Sequence, residues 1–433
     1  MKSALKTIPG SVTAPSGFLA AGVFCDIKRL GTGKGSNKGR KRDLGLILSE
    51  TPAAVAGMFT TNQVCAAPVK VSRTRASLEQ AQAIVVNSGN ANACTGPRGL
   101  RDAEAMAAFA GRLLKIPERS VLVASTGRIG IHLPMENVRS GIAAAAPLVG
   151  HSTEHSSQVA EAIMTTDTRP KEIAVEVHLG GKAVRIGGIC KGAGMIQPGM
   201  SPTGKRPASA PLHATMLCFI TSDAAIAPKL LKTALENAVA QSFNRITVDG
   251  DMSTNDTVIV LANGRAGNPL IAQPRGADWD RFQAALNFVT LELAKMIVRD
   301  GEGVSKFVTV RLRGAKSFAA ADTAARAVAN SALVKTSWYG GDPNWGRILD
   351  ALGYSAAEVV EEKVDVGYSR PGSKKIIYAL RRGRPTSTSL EKFREIVREK
   401  EFELHLHLNL GRSEAVIYTA DLTEEYVDFN KGE

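Results

Sequence analysis

Residues 214–224, ATMLCFITSDA, form a short apolar run of β-type composition that closes on Thr, Ser and Asp. Such a run, bounded by turn residues, reads as a strand buried on both faces. Before it stands SPTGKRPASAPLH (201–213), rich in Pro, Ser and basic residues and without apolar pattern, which reads as a surface loop. After it, Pro228 suits the first turn of a helix expected to reach about Phe243. The same alternation runs outward in both directions. AIVVNSG (83–89), SVLVASTG (120–127), TVIVLANG (257–264), KFVTVRLRG (306–314), ELHLHLNLG (403–411) and EAVIYTADL (414–422) read as strands. IAVEVHL and KAVRIGGI read as a hairpin about Gly180 and Gly181. Helical periodicity marks 101–116, with Met106, Phe109, Leu113 and Ile116 on one side, 154–164, and 278–300, with Phe282, Leu286, Val289, Leu293 and Ile297 in phase. The chain is of mixed α/β or α+β class.

The 433 residues are 44% hydrophobic, enough for two or three domains or one large two-lobed unit. No apolar run reaches the roughly 18 residues of a membrane span. The N-terminus does not read as a signal peptide, so the expected compartment is the cytoplasm. The five cysteines form no CxxC pair and are odd in number, which argues against a disulfide framework or a zinc site. His405 and His407 stand i, i+2 with no third ligand nearby in sequence; a solvated strand face is expected and no metal. The net charge is +13. Seven of the basic residues fall in 28–42 (KRLGTGKGSNKGRKR), and Arg370, Lys374, Lys375, Arg381, Arg382 and Arg384 form a second group. Nucleic-acid binding is one reading of such runs. A solvated loop is the other and is preferred, because the first run lacks aromatics that could stack on bases. GTGKGSNKG does not match a phosphate loop either.

Small polar residues concentrate at strand ends: VNSGNANACTG (86–96), ASTGRIG (124–130), MTTDT (164–168), KGAGMIQPGM (191–200), FNRITVDGDMSTNDT (243–257), GEGVSKF (301–307) and WYGGDPNWGR (338–347). Turn chemistry accounts for each taken singly. Seven together exceed what ordinary connections need. No GxSxG elbow is present, no histidine lies in a motif that pairs it with a nucleophile, and Cys218 inside its strand reads as a buried structural thiol. A nucleophile in this chain therefore needs another base. A threonine at a chain terminus has one, because its own α-amine, with an ordinary pKa of about 8, can take the hydroxyl proton. An internal threonine gains that amine only if the preceding bond is cut. Thr215, after Ala214 and the 201–213 loop, suits such a cut.

These segments resemble the ornithine acetyltransferase family, also described as bifunctional glutamate N-acetyltransferases and amino-acid acetyltransferases. KGAGMIQPGM and ATMLCFITSDA carry its signature. PGSVTAPSGFLAAGV, DLGLILSETPAAVAGMFTTNQVCAAPV, VNSGNANACTG, STGRIG, AIMTTDT, FNRITVDGDMSTNDT and VKTSWYGGDPNWGRILDALG follow in family order over nearly the whole chain. The resemblance implies a two-lobed layered αββα sandwich of N-terminal-nucleophile type with the site between the lobes. It implies autocatalytic cleavage between Ala214 and Thr215 into an α chain (1–214) and a β chain (215–433), assembled as α2β2. It implies an acyltransferase of arginine biosynthesis that moves acetyl from N-acetylornithine to glutamate through an acetyl-Thr215 enzyme. Thr126 and Gly127 match the oxyanion-stabilising pair. Thr165 (with Thr166 beside it), Lys191, Glu302 and Asn430 match substrate contacts, as does Thr215 itself. No cofactor is implied, and the motifs leave open whether acetyl-CoA serves as co-substrate.

Three departures accompany the match. SPTGKRPASAPLH occupies a place where the family has almost nothing. The basic stretch 31–42 is longer than expected. The chain ends at Glu433, before the small hydroxyl residue with which the family usually completes its substrate contacts. Two other functions fit parts of the pattern: a self-processed aminopeptidase or amidase of related fold, in which water resolves the acyl-enzyme, and a nucleic-acid binder using the basic runs.

Overall fold

The computed structural model describes residues 5–28, 41–205 and 216–431. Ala214, Thr215, most of the 201–213 insertion and most of the first basic run thus lie outside the described residues. Among the described residues the strands form a ten-stranded and a six-stranded sheet. The first contains β1 (Lys6–Thr7), β2 (Phe18–Val23), β3 (Leu44–Thr60), β4 (Gln80–Asn90), β5 (Val121–Arg128), β6 (Lys171–Leu179), β7 (Lys182–Lys191), β8 (Met200–Ser201), β9 (Leu217–Ser222) and β10 (Thr257–Ala262). Their order is β1-β6-β7-β9-β10-β3-β4-β5, with β2 and β8 also on β3.

The 17-residue β3 lets this sheet fold over on itself. Its first half pairs with β2 and β4, its second half with β10, and its register to β4 shifts between Leu48 and Ala53. Ile47, Ile84, Val86 and Leu122 of one layer then pack against Val55, Ile189, Leu217, Phe219, Ile259 and Leu261 of the other. Successive side chains of a strand point to opposite faces. Hence Cys218, Ile220, Val258 and Val260 face the other way, onto Leu231, Leu235, Phe282, Leu286, Val289, Leu293 and Ile297 of the helices Pro228–Ala240 and Ala277–Arg299. On the far side Ala83 and Val85 meet Val71, Met106, Val138 and Ile142 of three helices. The result is a helix–sheet–sheet–helix sandwich, and burial on both faces is why β9 and β10 read as unbroken apolar runs. Each fully buried Leu, Ile or Phe there contributes roughly 1.5–3 kcal/mol.

β9 follows residue 215 in sequence, yet it lies between β7 and β10, and β10 lies against β3. The layers are therefore woven from residues on both sides of the 214/215 junction. The second lobe starts later, with β11 (Phe307–Ala315), β12 (Asp365–Ser369), β13 (Ile377–Arg381), β14 (Arg384–Pro385), β15 (Glu401–His407) and β16 (Ser413–Ala420), in the order β14-β13-β12-β15-β11-β16. It has its own core around Val310, Trp338, Tyr368 and Phe402. The Thr247 N–H donates to the Tyr418 carbonyl (3.0 Å) and Arg299 pairs with Glu401 (2.7 Å), tying the lobes together.

Two sequence expectations need correction. The helix expected at 101–116 runs Gly96–Leu114, and its buried side is Ala103, Met106, Ala107 and Ala110. Leu113 is exposed and Ile116 lies past the end, where Lys115 takes a left-handed conformation (φ 56°) as its C-cap. The alanines let the helix lie close to the sheet, a face that large-residue periodicity does not reveal. His405, expected on a solvated face, is largely buried on the inner strand β15. Its Nε2 lies 2.8 Å from Ser369 Oγ, which also reaches the Arg370 carbonyl (3.1 Å). Burial pulls the imidazole pKa down to about 4, leaving it neutral. This Ser–His contact is structural. Of the basic residues described, Arg42 pairs with Glu161, Arg370 with Glu399 and Arg381 with Asp365. No helix among the described residues is long and apolar enough to cross a membrane.

Candidate active site

Six of the seven small-residue clusters are linked by hydrogen bonds around the ends of β5 and β7, whereas WYGGDPNWGR lies in the second lobe, where Trp338 joins its core. The antiparallel register of β7 and β9 sets Lys191 opposite Leu217, two residues after Thr215. Lys191 is buried, and its ammonium lies 3.4 Å from Thr126 Oγ1 in the last turn of β5. Burial lowers the Lys191 pKa, while the Asp167, Glu302 and Asp256 carboxyls act to raise it.

Gly127 follows with φ 130°. A Cβ there would lie 2.3 Å from the Gly89 carbonyl carbon and 2.5 Å from the Asn90 nitrogen. Only glycine lets the parallel ends of β4 and β5 close this far. The ladder slips at the same place, where Asn90 faces both Thr126 and Arg128. Asn90 Nδ2 donates to the Ile131 and His132 carbonyls, both 3.1 Å away, which holds the segment after Gly127.

The other matched residues are gathered by a buried ionic network. Asp167 accepts from Thr165 N (3.0 Å), Gly192 N (2.7 Å) and Lys171 Nζ (2.6 Å). Lys171 Nζ also reaches Asp300 (2.5 Å), which in turn takes the Thr168 N–H at 3.1 Å and the Thr168 hydroxyl. Burial alone would raise Asp167, but the Lys171 and Lys191 charges and the Gly192 N–H outweigh it and hold the carboxyl well below the usual range. For Lys171 burial is likewise outweighed, by Asp167 and Asp300, and its pKa rises. One cluster thus fixes the Thr165 loop, the backbone beside Lys191 and the turn leading to Glu302.

Glu302 completes the group. Its N–H donates to the Ala193 carbonyl (2.9 Å), and its carboxylate fills the space a Cβ on Gly194 would take, 2.4 Å from the carboxyl carbon. Asn430 Nδ2 donates to Glu302 Oε2 (3.2 Å) and to the Tyr426 carbonyl (2.9 Å). Asn430 caps the helix Glu424–Phe429, whose Tyr426 hydroxyl donates to Asp249 (3.4 Å); Asp249 also takes the Met195 (2.6 Å) and Ile196 (2.8 Å) N–H groups.

The structure therefore joins Thr126 with Lys191, Thr165 with the Lys191 loop, and Glu302 with Asn430. Sequence reasoning missed Lys171, Asp300, Asn255 and Asp256. The MTTDT and STNDT clusters signalled the carboxylates Asp167 and Asp256, whereas Lys171, in RPKEI, resembles an ordinary solvated turn. Chemically, the arrangement supplies a hydroxyl and backbone N–H groups at a pinched strand end, a buried lysine and an acid–amide pair. None of these depends on a histidine base.

The ArgJ family model matches residues 21–432. The chain is 46% identical over 426 residues to the arginine biosynthesis bifunctional protein ArgJ of Symbiobacterium thermophilum, covering 98% of this chain and 99% of that protein. It is 44% identical over 431 residues to the glutamate N-acetyltransferase of Methanocaldococcus jannaschii, covering 98% and 99%. A chain of the ornithine acetyltransferase of Mycobacterium tuberculosis, solved in complex with ornithine, aligns at 38% identity and a TM-score of 0.42, covering 46% of this chain and 100% of that one.

Proposed function

The chain belongs to the ArgJ family, acyltransferases of arginine biosynthesis, and we propose that it transfers acetyl from N-acetylornithine to glutamate through Thr215 after cutting itself between Ala214 and Thr215. The observation that supports this reading is the register of β7 on β9, which sets Lys191, the partner of Thr126, opposite Leu217, a residue that follows Thr215 by two in sequence.

The cut consumes one water, whose oxygen goes to Ala214 as a carboxylate, and leaves Thr215 with a free α-amine. That amine takes the Thr215 hydroxyl proton as Oγ attacks the acetyl carbonyl carbon. Charge builds on the carbonyl oxygen. The Gly127 N–H and Thr126 O–H donate to it, and each such donor is commonly worth ~3 kcal/mol in the transition state. Lys191 donates into Thr126 Oγ1, which leaves the Thr126 proton free and polarises it toward the oxyanion. The C–N bond then breaks, the ornithine nitrogen takes the proton from the Thr215 amine, and acetyl remains on Oγ. The amine of glutamate attacks that ester, N-acetylglutamate leaves, and the Thr215 hydroxyl is restored.

Binding follows the charges. Lys191 suits the substrate carboxylate, while Glu302, steadied by Asn430, suits the ornithine side-chain ammonium. Thr165 lies on the loop fastened to Asp167. Acetyl-CoA would load Thr215 by the same attack on an acetyl carbonyl. The two fragments would remain together, with α2β2 the expected assembly.

Intact-mass analysis of the denatured protein, beside Thr215→Ala, tests the cut: two fragments splitting before Thr215 in the wild type and one 45.8 kDa chain in the variant. An uncut wild-type chain overturns the mechanism. Acetyl transfer that requires glutamate separates it from an amidase, which would need only water, and acetyl-CoA offered alone with glutamate reads the second donor.

A further inference from the structure

Asn255 and Asp256, the two residues before β10, each hold a different layer of the sandwich. Asp256 is fully buried, and its Oδ1 accepts the Met216 N–H at 2.5 Å. The Asp256 carbonyl takes the Thr60 N–H (2.9 Å) and the Thr257 N–H donates to the Met216 carbonyl (3.0 Å), so this acid is built into the β3–β10–β9 junction. Its Oδ2 is buried with no partner among the described residues. Asn255 is also buried, and its amide reaches the other layer: Nδ2 donates to the Ala91 carbonyl (2.7 Å) after β4 and to the Ser125 carbonyl (2.8 Å) in β5. Its own Oδ1 takes the Thr254 hydroxyl (2.5 Å), and its N–H goes to Ser253 Oγ (2.9 Å), so every polar atom of the side chain is engaged.

Met216 N is bonded to the Thr215 carbonyl carbon, and Ser125 directly precedes Thr126. A peptide unit is planar and carries both flanking Cα atoms, so holding an N–H orients the unit back to the preceding Cα and holding a carbonyl orients it on to the next. We propose that Asn255 and Asp256 are paired positioning residues, a two-residue clamp that sets the separation between the nucleophile strand and the oxyanion strand. The inference rests on the reading of Thr215 as nucleophile.

Three arguments support it. A surface turn would have met the Met216 N–H with water, whereas burying a carboxyl without a full set of partners is unfavourable unless geometry is gained. Burial pushes the Asp256 acid well above the usual carboxylate range, which favours the protonated form that is cheaper to keep inside. The bonds act on main chain at the far end, so each clamp residue positions strand backbone and not another side chain. A displacement of ~1 Å between attacking and stabilising groups costs on the order of 10²-fold in rate.

The test uses the full chain, with Asp256→Asn, Asp256→Ala, Asp256→Leu and Asn255→Asp. Fragment formation is followed by intact mass, and kcat and KM for N-acetylornithine are measured on the cut protein. Asp256→Asn keeps an oxygen for the Met216 N–H and is expected to cut and turn over near the wild-type rate. Asp256→Ala and Asp256→Leu should cut ~10²-fold more slowly. Asn255→Asp replaces the donor with an acceptor facing two carbonyls, and kcat should fall ~10²-fold at nearly constant KM. Wild-type rates in the folded Ala, Leu or Asn255→Asp variants overturn the clamp, as does an Asp256→Asn variant as slow as Asp256→Ala. If the Ala and Leu variants do not fold, an active Asp256→Asn beside an impaired Asn255→Asp upholds it and any other pairing overturns it. Failure of the underlying reading looks different: the wild type itself is not cut.

Discussion

Lys191 Nζ and Thr126 Oγ1 lie 3.4 Å apart although they sit 65 residues apart in sequence, and both are buried. In the proposed mechanism this contact would couple a substrate-binding cation to an oxyanion donor, so the two residues should separate in kinetics. Thr126→Ala should lower kcat by 10²–10³-fold, about 2.7–4 kcal/mol, with little change in KM. Lys191→Met should raise KM for N-acetylornithine and lower kcat as well. Equal kcat for Thr126→Ala and wild type would remove Thr126 from the oxyanion site.

Lys171 stands between two buried carboxylates. Lys171→Met should destabilise the protein by ~3–5 kcal/mol, because it removes the buried cation held between Asp167 and Asp300. Urea unfolding measures this. The acid side follows in sign. Asp167 has a depressed pKa in the folded state, so its contribution is complete above the ordinary carboxylate pKa of about 4 and is lost as pH falls below it. Asp167→Asn should flatten the acid limb of the stability curve.

Lys335 is buried, and its ammonium donates to the Thr419 hydroxyl (3.3 Å) and the Ala420 carbonyl. Burial pulls its pKa down to about 8. Between that value and the ordinary lysine pKa the unfolded chain binds the extra proton, so folding stability rises with pH, by up to ~1.4 kcal/mol per pH unit. The urea midpoint should climb more steeply above pH 8 in the wild type than in Lys335→Met. Parallel curves would contradict the assignment.

The Glu302–Asn430 contact predicts a selectivity effect. Glu302→Gln should weaken N-acetylornithine, which carries a side-chain cation, far more than an acetylated amino acid with a neutral side chain. Asn430→Ala should raise KM for N-acetylornithine several-fold with kcat nearly unchanged. An unaltered preference in Glu302→Gln would place the ammonium elsewhere.

Gly127→Ala should abolish transfer without unfolding the protein. The added methyl would sit 2.3 Å from the Gly89 carbonyl carbon, at a φ of 130° that alanine does not accept. Circular dichroism and the assay of acetyl transfer report the two halves of this expectation.

The strands β9 and β10 were legible in the sequence because they bury both faces, which leaves apolar runs such as LCFITS and TVIVLA between turn residues, whereas their layering into a sandwich came from the family resemblance. The helix Gly96–Leu114 was placed imperfectly because its contact face is alanine, whose small size matters only against a neighbour. Strand-end clusters drew attention to Thr126, Thr165 and Lys191, but their roles came from family resemblance; residue types alone allowed ordinary turns. The Lys171–Asp300 pair spans 129 residues, and no local pattern encodes a partner so distant. Asn255 and Asp256 read as turn formers because the carbonyls and N–H they hold belong to strands the chain brings together only on folding.

The weave of β9 and β10 between β7 and β3 has a last consequence. A cut before Thr215 would yield two polypeptides that are threaded through each other, not docked side by side. Each of the inserted strands shares a six-residue ladder with the other fragment. Dilution, which parts ordinary complexes, would find no surface along which to part these. The fragments should co-migrate at any concentration and come apart only when the sandwich itself unfolds.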